Sequence, residues 1–136
     1  MKRIMAFDFG TKRIGIAVTD PMQIIASGLA TVEPKKFVIF LKDYLSNEQV
    51  ETFVVGLPKS LQNTTTDSSE AVANFKILLN KSFPEIPVID VDERFTSKMA
   101  FQSMIHGGLS KRKRQNKALI DQISATIILQ SYLSSR

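Results

Sequence analysis

The order of short apolar runs constrains this chain more than any other feature of its sequence. Residues 4–9 and 14–19 are apolar and flank residues 10–13, which begin with Gly10 and have the composition of a hairpin turn. Residues 23–32 form a third extended run. The first quarter of the chain is therefore predicted to be an antiparallel meander of three strands.

Helical and extended segments alternate along the rest of the chain. Pro34 can open a helix, and apolar residues follow it at helical spacing. Strands are predicted at 51–57 and 87–91. One helix is predicted between these strands, a second at 97–105 and a last one after a basic segment. The helix between the two strands is expected to bury Val72, Phe75, Leu78 and Leu79. This order predicts an α/β fold with a mixed sheet and helices on its faces.

The size and composition of the chain exclude several classes of protein. Its 136 residues suit one domain, which we expect to span 1–136. The absence of cysteine excludes disulfides, a thiol nucleophile and a cysteine zinc site, and the single histidine, His106, excludes a multi-histidine metal cage. No apolar run reaches the roughly 18–20 residues of a membrane span, and no signal peptide is apparent, so we expect a cytoplasmic protein with no membrane partner.

The positive charge of the chain is concentrated in one segment, which we call the basic cluster. Its members are Lys111, Arg112, Lys113, Arg114 and Lys117. They account for the whole net charge of +5, because the remaining basic and acidic residues balance. A local patch of this kind is typical of a surface that contacts phosphates, so the partner is expected to be nucleic acid. The alternative is a solvated loop without a ligand.

Three acidic positions lie where chemistry is expected. Asp8 interrupts an apolar strand, and burial of its carboxylate is costly unless a cation, a hydrogen bond or solvent compensates it. Asp92 and Glu93 directly follow the strand at 87–91, so at least one of them is expected to face the same edge of the sheet as Asp8.

A further acid, Asp121, lies in the last helix. Its neighbours at i+3 and i+4, Ser124 and Ala125, are small and would let this turn of the helix approach the sheet closely. Together these positions permit a cluster of three carboxylates, a hard oxygen site suited to Mg²⁺ or Mn²⁺. The alternative is that the acids are solvated or paired with lysine and arginine.

Four segments of this sequence occur in the order found in one family. They are residues 8–17 (DFGTKRIGIA), 55–58 (VGLP), 92–97 (DERFTS) and 120–125 (IDQISA). The set resembles the YqgF/RuvX family, described as Holliday-junction resolvases and as nucleases that process precursor ribosomal RNA. The resemblance covers nearly the whole chain. It implies a ribonuclease H-like fold, with a mixed five-stranded sheet in which the meander is followed by two parallel strands.

The resemblance also implies the chemistry of the site. It assigns Asp8, Glu93 and Asp121 as catalytic residues and as ligands of Mg²⁺ or Mn²⁺, with two ions supporting in-line attack of water on a phosphodiester. The substrate would be precursor 16S ribosomal RNA, cut at its 5′ end, or branched DNA. The protein would act as a monomer or a homodimer. Gln62 and Asn63 stand where the family usually has Asp-Gly, which bears on substrate preference.

Other residues of these segments are assigned two possible roles each. Lys12 and Arg13 either hold a phosphate or are solvated turn charges, and Arg94 either orients an acid or binds phosphate. Gly10 and Gly15 are expected to serve the geometry of the hairpin, and the alternative role of Gly10 is to let a phosphate approach the backbone. Lys12, Arg13, Arg94 and the basic cluster are thus the predicted nucleic-acid-binding residues. The alternative functions are a nucleic-acid-binding protein with little or no catalytic activity and, with less support, a phosphate-binding domain of ATPase type.

Overall fold

A five-stranded mixed sheet forms the centre of the protein. The computed structural model describes residues 2–57, 67–92 and 117–136. The strands are β1 (Arg3–Phe9), β2 (Ile14–Thr19), β3 (Ala26–Val32), β4 (Val50–Leu57) and β5 (Val88–Asp92). Their order is β3-β2-β1-β4-β5, with β1, β2 and β3 antiparallel and β4 parallel to both β1 and β5. The predicted meander and the two parallel strands are confirmed.

In the described part of the chain, three helices cover the two faces of the sheet. They are α1 (Pro34–Asn47), α2 (Asp67–Ser82) and α3 (Lys117–Ser135). Helix α1 begins at Pro34 as predicted, because proline already has helical φ and its missing N–H would have no partner in the first turn. Helices α1 and α2 pack on one face of the sheet, and α3 packs on the other.

Aromatic side chains fill the layer between the sheet and helices α1 and α2. The ring of Phe7, which is fully buried, lies 5.2 Å from Phe37 of α1, 5.3 Å from Phe53 of β4 and 5.7 Å from Phe75 of α2. Edge-on and tilted contacts of this kind add to the free energy gained by burying the rings. The two helices are thus fixed on the sheet through one central phenylalanine.

Small side chains line the opposite face, under α3. Ala6 of β1 and Ala17 of β2 are fully buried against this helix, together with Ala125 of α3. Ser124 is buried as well. The expectation that the small residues of this turn let the helix approach the sheet is confirmed.

The predicted third strand is wrong in its first three residues. Residues 23–25 belong to a turn that begins at Asp20, whose carboxylate accepts hydrogen bonds from the backbone N–H groups of Met22, Ile24 and Ile25. These donors lower the pKa of Asp20 below its ordinary value of 3.8. The adjacent Gln23 has a φ of 60°. Side-chain capping of the turn therefore overrides the extended preference of the two isoleucines.

Three further expectations concern helices. Leu78, predicted to be buried on α2, is 37% exposed, whereas Val72, Phe75 and Leu79 are buried. The helix predicted at 97–105 lies outside the described residues. Within the described part of the chain, no helix has the length and apolar character needed to cross a bilayer.

Candidate active site

The carboxyl ends of three strands meet at one edge of the sheet and place Asp8 there. Phe7 lies opposite Val55 in the parallel pair of β1 and β4, and Gly56 lies opposite Val91 in the pair of β4 and β5. Because side chains alternate along a strand and Phe7 faces α1 and α2, Asp8 faces α3. The strand thus directs a carboxylate toward the last helix at the edge where β1, β4 and β5 end.

Gly15 brings Asp121 to the same position. Gly15 is the β2 residue opposite Asp8, and a Cβ added to it would lie only 2.5 Å from the carbonyl carbon of Asp121 and 2.9 Å from its Cβ. The helix can rest on β2 only because this side chain is missing. The role predicted for Gly15 in the geometry of the hairpin stays a prediction, and this contact with α3 is a second role that it did not include. A glycine inside a buried strand is the sequence signal that points to such a close approach.

A cleft lies between the hairpin and the start of α3. It has a volume of about 230 Å³ and is lined by Asp8, Asp121 and residues 9–13 of the hairpin. The turn is closed by a hydrogen bond of 2.9 Å from the Gly10 N–H to the Arg13 carbonyl, which confirms the predicted hairpin. Two of the three predicted catalytic acids therefore share one cleft. The third, Glu93, lies outside the described residues, as does Arg94.

Arg13 makes an ion pair across this cleft. Its Nε donates to Oδ2 of Asp121 at 2.6 Å, and the two residues are 108 positions apart in the chain. The Asp121 side chain is 18% exposed and the Arg13 side chain 37%. The two roles predicted for Arg13, a phosphate ligand or a solvated turn charge, do not include this partner, whereas the alternative that the acids pair with lysine or arginine holds for Asp121. No local pattern signals this pair, because the two residues meet only after α3 has packed on the sheet.

Two other predicted cations are described, one that lines the cleft and one on the helix that carries Asp121. Lys12 is exposed at the tip of the hairpin and lines the cleft, and also a neighbouring groove that reaches Lys35 at the start of α1. Lys117 is exposed and belongs to α3. It lies four positions before Asp121, on the same side of the helix. The remaining members of the basic cluster, at 111–114, lie outside the described residues.

The donor chemistry of the cleft fits a hard divalent cation. Carboxylate oxygens are the ligands preferred by Mg²⁺ and Mn²⁺, and Asp8 and Asp121 supply them from two fixed elements. Residues 2–57, 67–92 and 117–136 contain no group of three acidic, histidine or cysteine side chains arranged to hold a metal. A complete three-carboxylate site therefore requires a ligand from the rest of the chain, where Glu93 is the predicted one.

Comparison with known proteins gives consistent results over the full length of the chain. The RuvX family model, described as "Holliday junction resolvase", matches residues 2–135. A protein of Flavobacterium johnsoniae named "Putative pre-16S rRNA nuclease" is 54% identical over 136 residues, which cover 100% of this chain and 99% of the relative. A protein of Christiangramia forsetii with the same name is 56% identical over 133 residues, 98% of each chain.

Solved structures support the fold. The Thermus thermophilus RuvC chain in complex with a Holliday junction substrate superposes with a TM-score of 0.57 at 16% identity, covering 99% of this chain and 96% of the other. A second structure of RuvC from Thermus thermophilus gives a TM-score of 0.52 at 12% identity, covering 97% and 96%. The predicted ribonuclease H-like fold is thereby confirmed. By the match of its sequence from residue 2 to residue 135, this chain belongs to the RuvX family of nucleases.

Proposed function

We propose that this protein is a metal-dependent endonuclease that hydrolyses phosphodiester bonds in structured nucleic acid, with precursor 16S ribosomal RNA as its substrate. The observation that carries the proposal is the convergence of Asp8 and Asp121 in one cleft beside a cationic hairpin. Relatives near 50% identity that are named for this activity over their full length support it. A cytoplasmic location, where bacterial ribosomal RNA is processed, belongs to the same proposal.

Each residue of the cleft has a role in this proposal. Asp8 and Asp121, with Glu93 as the third ligand, would hold Mg²⁺ or Mn²⁺, two ions in all. When bound, the metal lowers the pKa of the attacking water and stabilises the oxygen that leaves the phosphorus. The carboxylates hold their positions because β1 and α3 fix their backbones. Because the carboxylates are fixed, the attacking water and the phosphodiester would be held in the geometry of the reaction without large motions of the protein.

Phosphate contacts position the strand over the cleft. Lys12 is an exposed cation that lines the cleft from the hairpin, and Lys117 is an exposed cation on α3 four positions before Asp121. Arg94 and the remaining members of the basic cluster extend the proposed path of the nucleic acid. Contacts of this type fix the register of a strand and carry no sequence information. A single site suffices to trim RNA, so a monomer satisfies this proposal, whereas paired cuts in a DNA junction favour a homodimer.

One observation favours a second candidate function. The ion pair between Arg13 and Asp121 uses an oxygen of a carboxylate that the metal would need. If this pair persists when nucleic acid binds, the protein is a nucleic-acid-binding module with little or no catalytic activity. Fold and a ligand-ready site do not by themselves establish turnover.

Cleavage of two end-labelled substrates distinguishes these functions. A fragment of precursor 16S RNA spanning the 5′ end and a four-way DNA junction are incubated with Mg²⁺, Mn²⁺ or EDTA. We expect wild type to cut the RNA only with a divalent cation. Asp8→Asn and Asp121→Asn should lower the cleavage rate by more than about 100-fold, because loss of a group that only orients a metal ligand lowers activity by up to about 100-fold. Asp43→Asn, the same charge change at an exposed position on α1, is the matched control.

The other outcomes are equally informative. Cleavage of the junction but not of the RNA would assign the protein to branched DNA. Tight, salt-sensitive binding with no cleavage in either metal would establish the binding module instead. Equal cleavage by wild type and Asp8→Asn would identify a contaminating nuclease and contradict the proposed site.

A further inference from the structure

We propose that Arg13 competes with the divalent cation for Asp121, so that the guanidinium holds this carboxylate in the metal-free protein and releases it when metal and nucleic acid bind. The inference rests on the proposed metal site. It assigns to Arg13 a positioning role that acts through Asp121, in place of a role as a fixed phosphate ligand or a solvated charge.

The geometry of the ion pair makes it a strong competitor. The distance of 2.6 Å from Nε to Oδ2 is short, as expected for a hydrogen bond between two charged groups. The Asp121 side chain is mostly shielded from water, whereas Arg13 is more than one-third exposed, so solvent screens the attraction only in part. A divalent cation bound to this carboxylate would meet the positive charge of Arg13 at close range, so the two cations oppose each other's binding.

Only the side chain of Arg13 needs to move for the exchange. Its backbone is held by the hydrogen bond between its carbonyl and the Gly10 N–H, and the backbone of Asp121 is held by its contact with Gly15. The Arg13 side chain is more than one-third exposed and can swing toward solvent. The carboxylate therefore stays in place while the guanidinium leaves.

A phosphate of the substrate offers Arg13 its next partner. The guanidinium has five N–H donors, and among the described residues it uses one of them, Nε, on Asp121. Its planar array of donors matches the oxygens of a phosphate. A strand lying in the cleft beside Lys12 would draw Arg13 away and leave Asp121 to the metal. Metal and nucleic acid should therefore increase each other's affinity.

Calorimetric titration with Mn²⁺ alone tests the competition without any measurement of activity. Wild type is compared with Arg13→Gln and with Lys12→Gln, which removes the same charge from the adjacent position of the same turn. We expect Arg13→Gln to bind Mn²⁺ about tenfold more tightly than wild type, the effect of removing one hydrogen bond between charged groups. Lys12→Gln should change the affinity by less than about threefold, because Lys12 is exposed and its charge is screened.

A second titration tests the coupling to nucleic acid. An oligonucleotide with phosphorothioate linkages is added before Mn²⁺, and gel electrophoresis after the titration checks that it is still intact. The oligonucleotide should tighten the binding of Mn²⁺ to wild type, and to Arg13→Gln by a smaller factor, because in the variant Asp121 is already released. The same factor in both proteins would overturn the proposed exchange.

Asp121→Asn separates failure of this inference from failure of the proposed function. If Asp121→Asn and Asp8→Asn both bind Mn²⁺ as wild type does, the cleft is not the metal site and both proposals are overturned. The other case is that both Asp variants bind Mn²⁺ weakly. If the Mn²⁺ affinity of Arg13→Gln then equals that of Lys12→Gln or is below that of wild type, only the competition is overturned. Circular dichroism checks the folding of each variant, and Arg13→Met replaces Arg13→Gln if the latter does not fold.

Discussion

Replacing Gly15 with alanine should push α3 away from β2, which would both destabilise the protein and displace Asp121. The new Cβ would lie 2.5 Å from the carbonyl carbon of Asp121 and 2.9 Å from its Cβ, whereas real Cβ atoms essentially never approach within 3.0 Å. The atoms that must yield belong to the backbone of α3, which cannot rotate away as the end of a side chain can. The whole first part of this helix must therefore shift away from β2.

The size of the effect follows from the kind of contact. Overpacking of a buried site costs about 1–3 kcal/mol, and a clash with backbone belongs at the upper end of this range. For 136 residues, a loss of about 3 kcal/mol lowers the melting temperature by about 10 °C. Since Asp121 is the residue displaced, the stabilisation gained from Mn²⁺ should fall as well.

Urea denaturation of Gly15→Ala and Gly28→Ala provides the assay and its control. Gly28 also lies under α3, but its added Cβ would meet Cβ and Oε1 of Gln122 at 3.1 Å, so a shift of a few tenths of an ångström relieves the contact. We expect Gly28→Ala to cost less than about 1 kcal/mol. Equal unfolding free energies for the two variants, or wild-type stability of Gly15→Ala, would refute the argument that a missing side chain at Gly15 sets the position of the helix.

Three further changes test other parts of the molecule. In Asp8→Asn, Mn²⁺ should no longer raise the melting temperature, whereas it should do so in wild type and in Asp43→Asn; an equal rise in all three would exclude Asp8 as a ligand. Phe37→Ala should lower the unfolding free energy by about 3–5 kcal/mol in urea and leave the Mn²⁺ affinity of the folded protein unchanged; a loss under 1 kcal/mol would contradict the packing role of this ring. The backbone donors lower the pKa of Asp20, so its contribution to stability is present above pH 3.8 and is lost as the pH falls through the folded-state pKa. The stability difference between wild type and Asp20→Asn should therefore shrink between pH 5 and pH 2, and a constant difference across this range would show that the charge of Asp20 is irrelevant.

Local patterns were sufficient to predict most of the sheet. The hairpin at residues 10–13 and the start of α1 at Pro34 depend on turn and proline chemistry that acts over a few residues. The position of Asp8 at a strand end follows from the same patterns. Its proximity to Asp121 was expected from small residues in the last helix and from the resemblance to one family, and the structure brings the two acids into one cleft.

Two contacts between distant segments were not predicted. The ion pair of Arg13 with Asp121 and the approach of α3 to Gly15 require the helix to be docked, and no periodicity encodes the docking. The early end of the third predicted strand has a different cause. Asp20 bonds to three backbone N–H groups ahead of it and bends a segment whose isoleucines favour extension.

The distance along the chain between the two halves of the cleft has a consequence during synthesis. Arg13 and Asp121 are 108 residues apart, so the ribosome makes the hairpin many seconds before it makes the helix, at about 5–20 residues per second. During this interval the nascent chain holds Asp8 without Asp121. An unfinished polypeptide therefore has no assembled cleft, and the chain gains its two facing carboxylates only after α3 has been translated and has packed on the sheet.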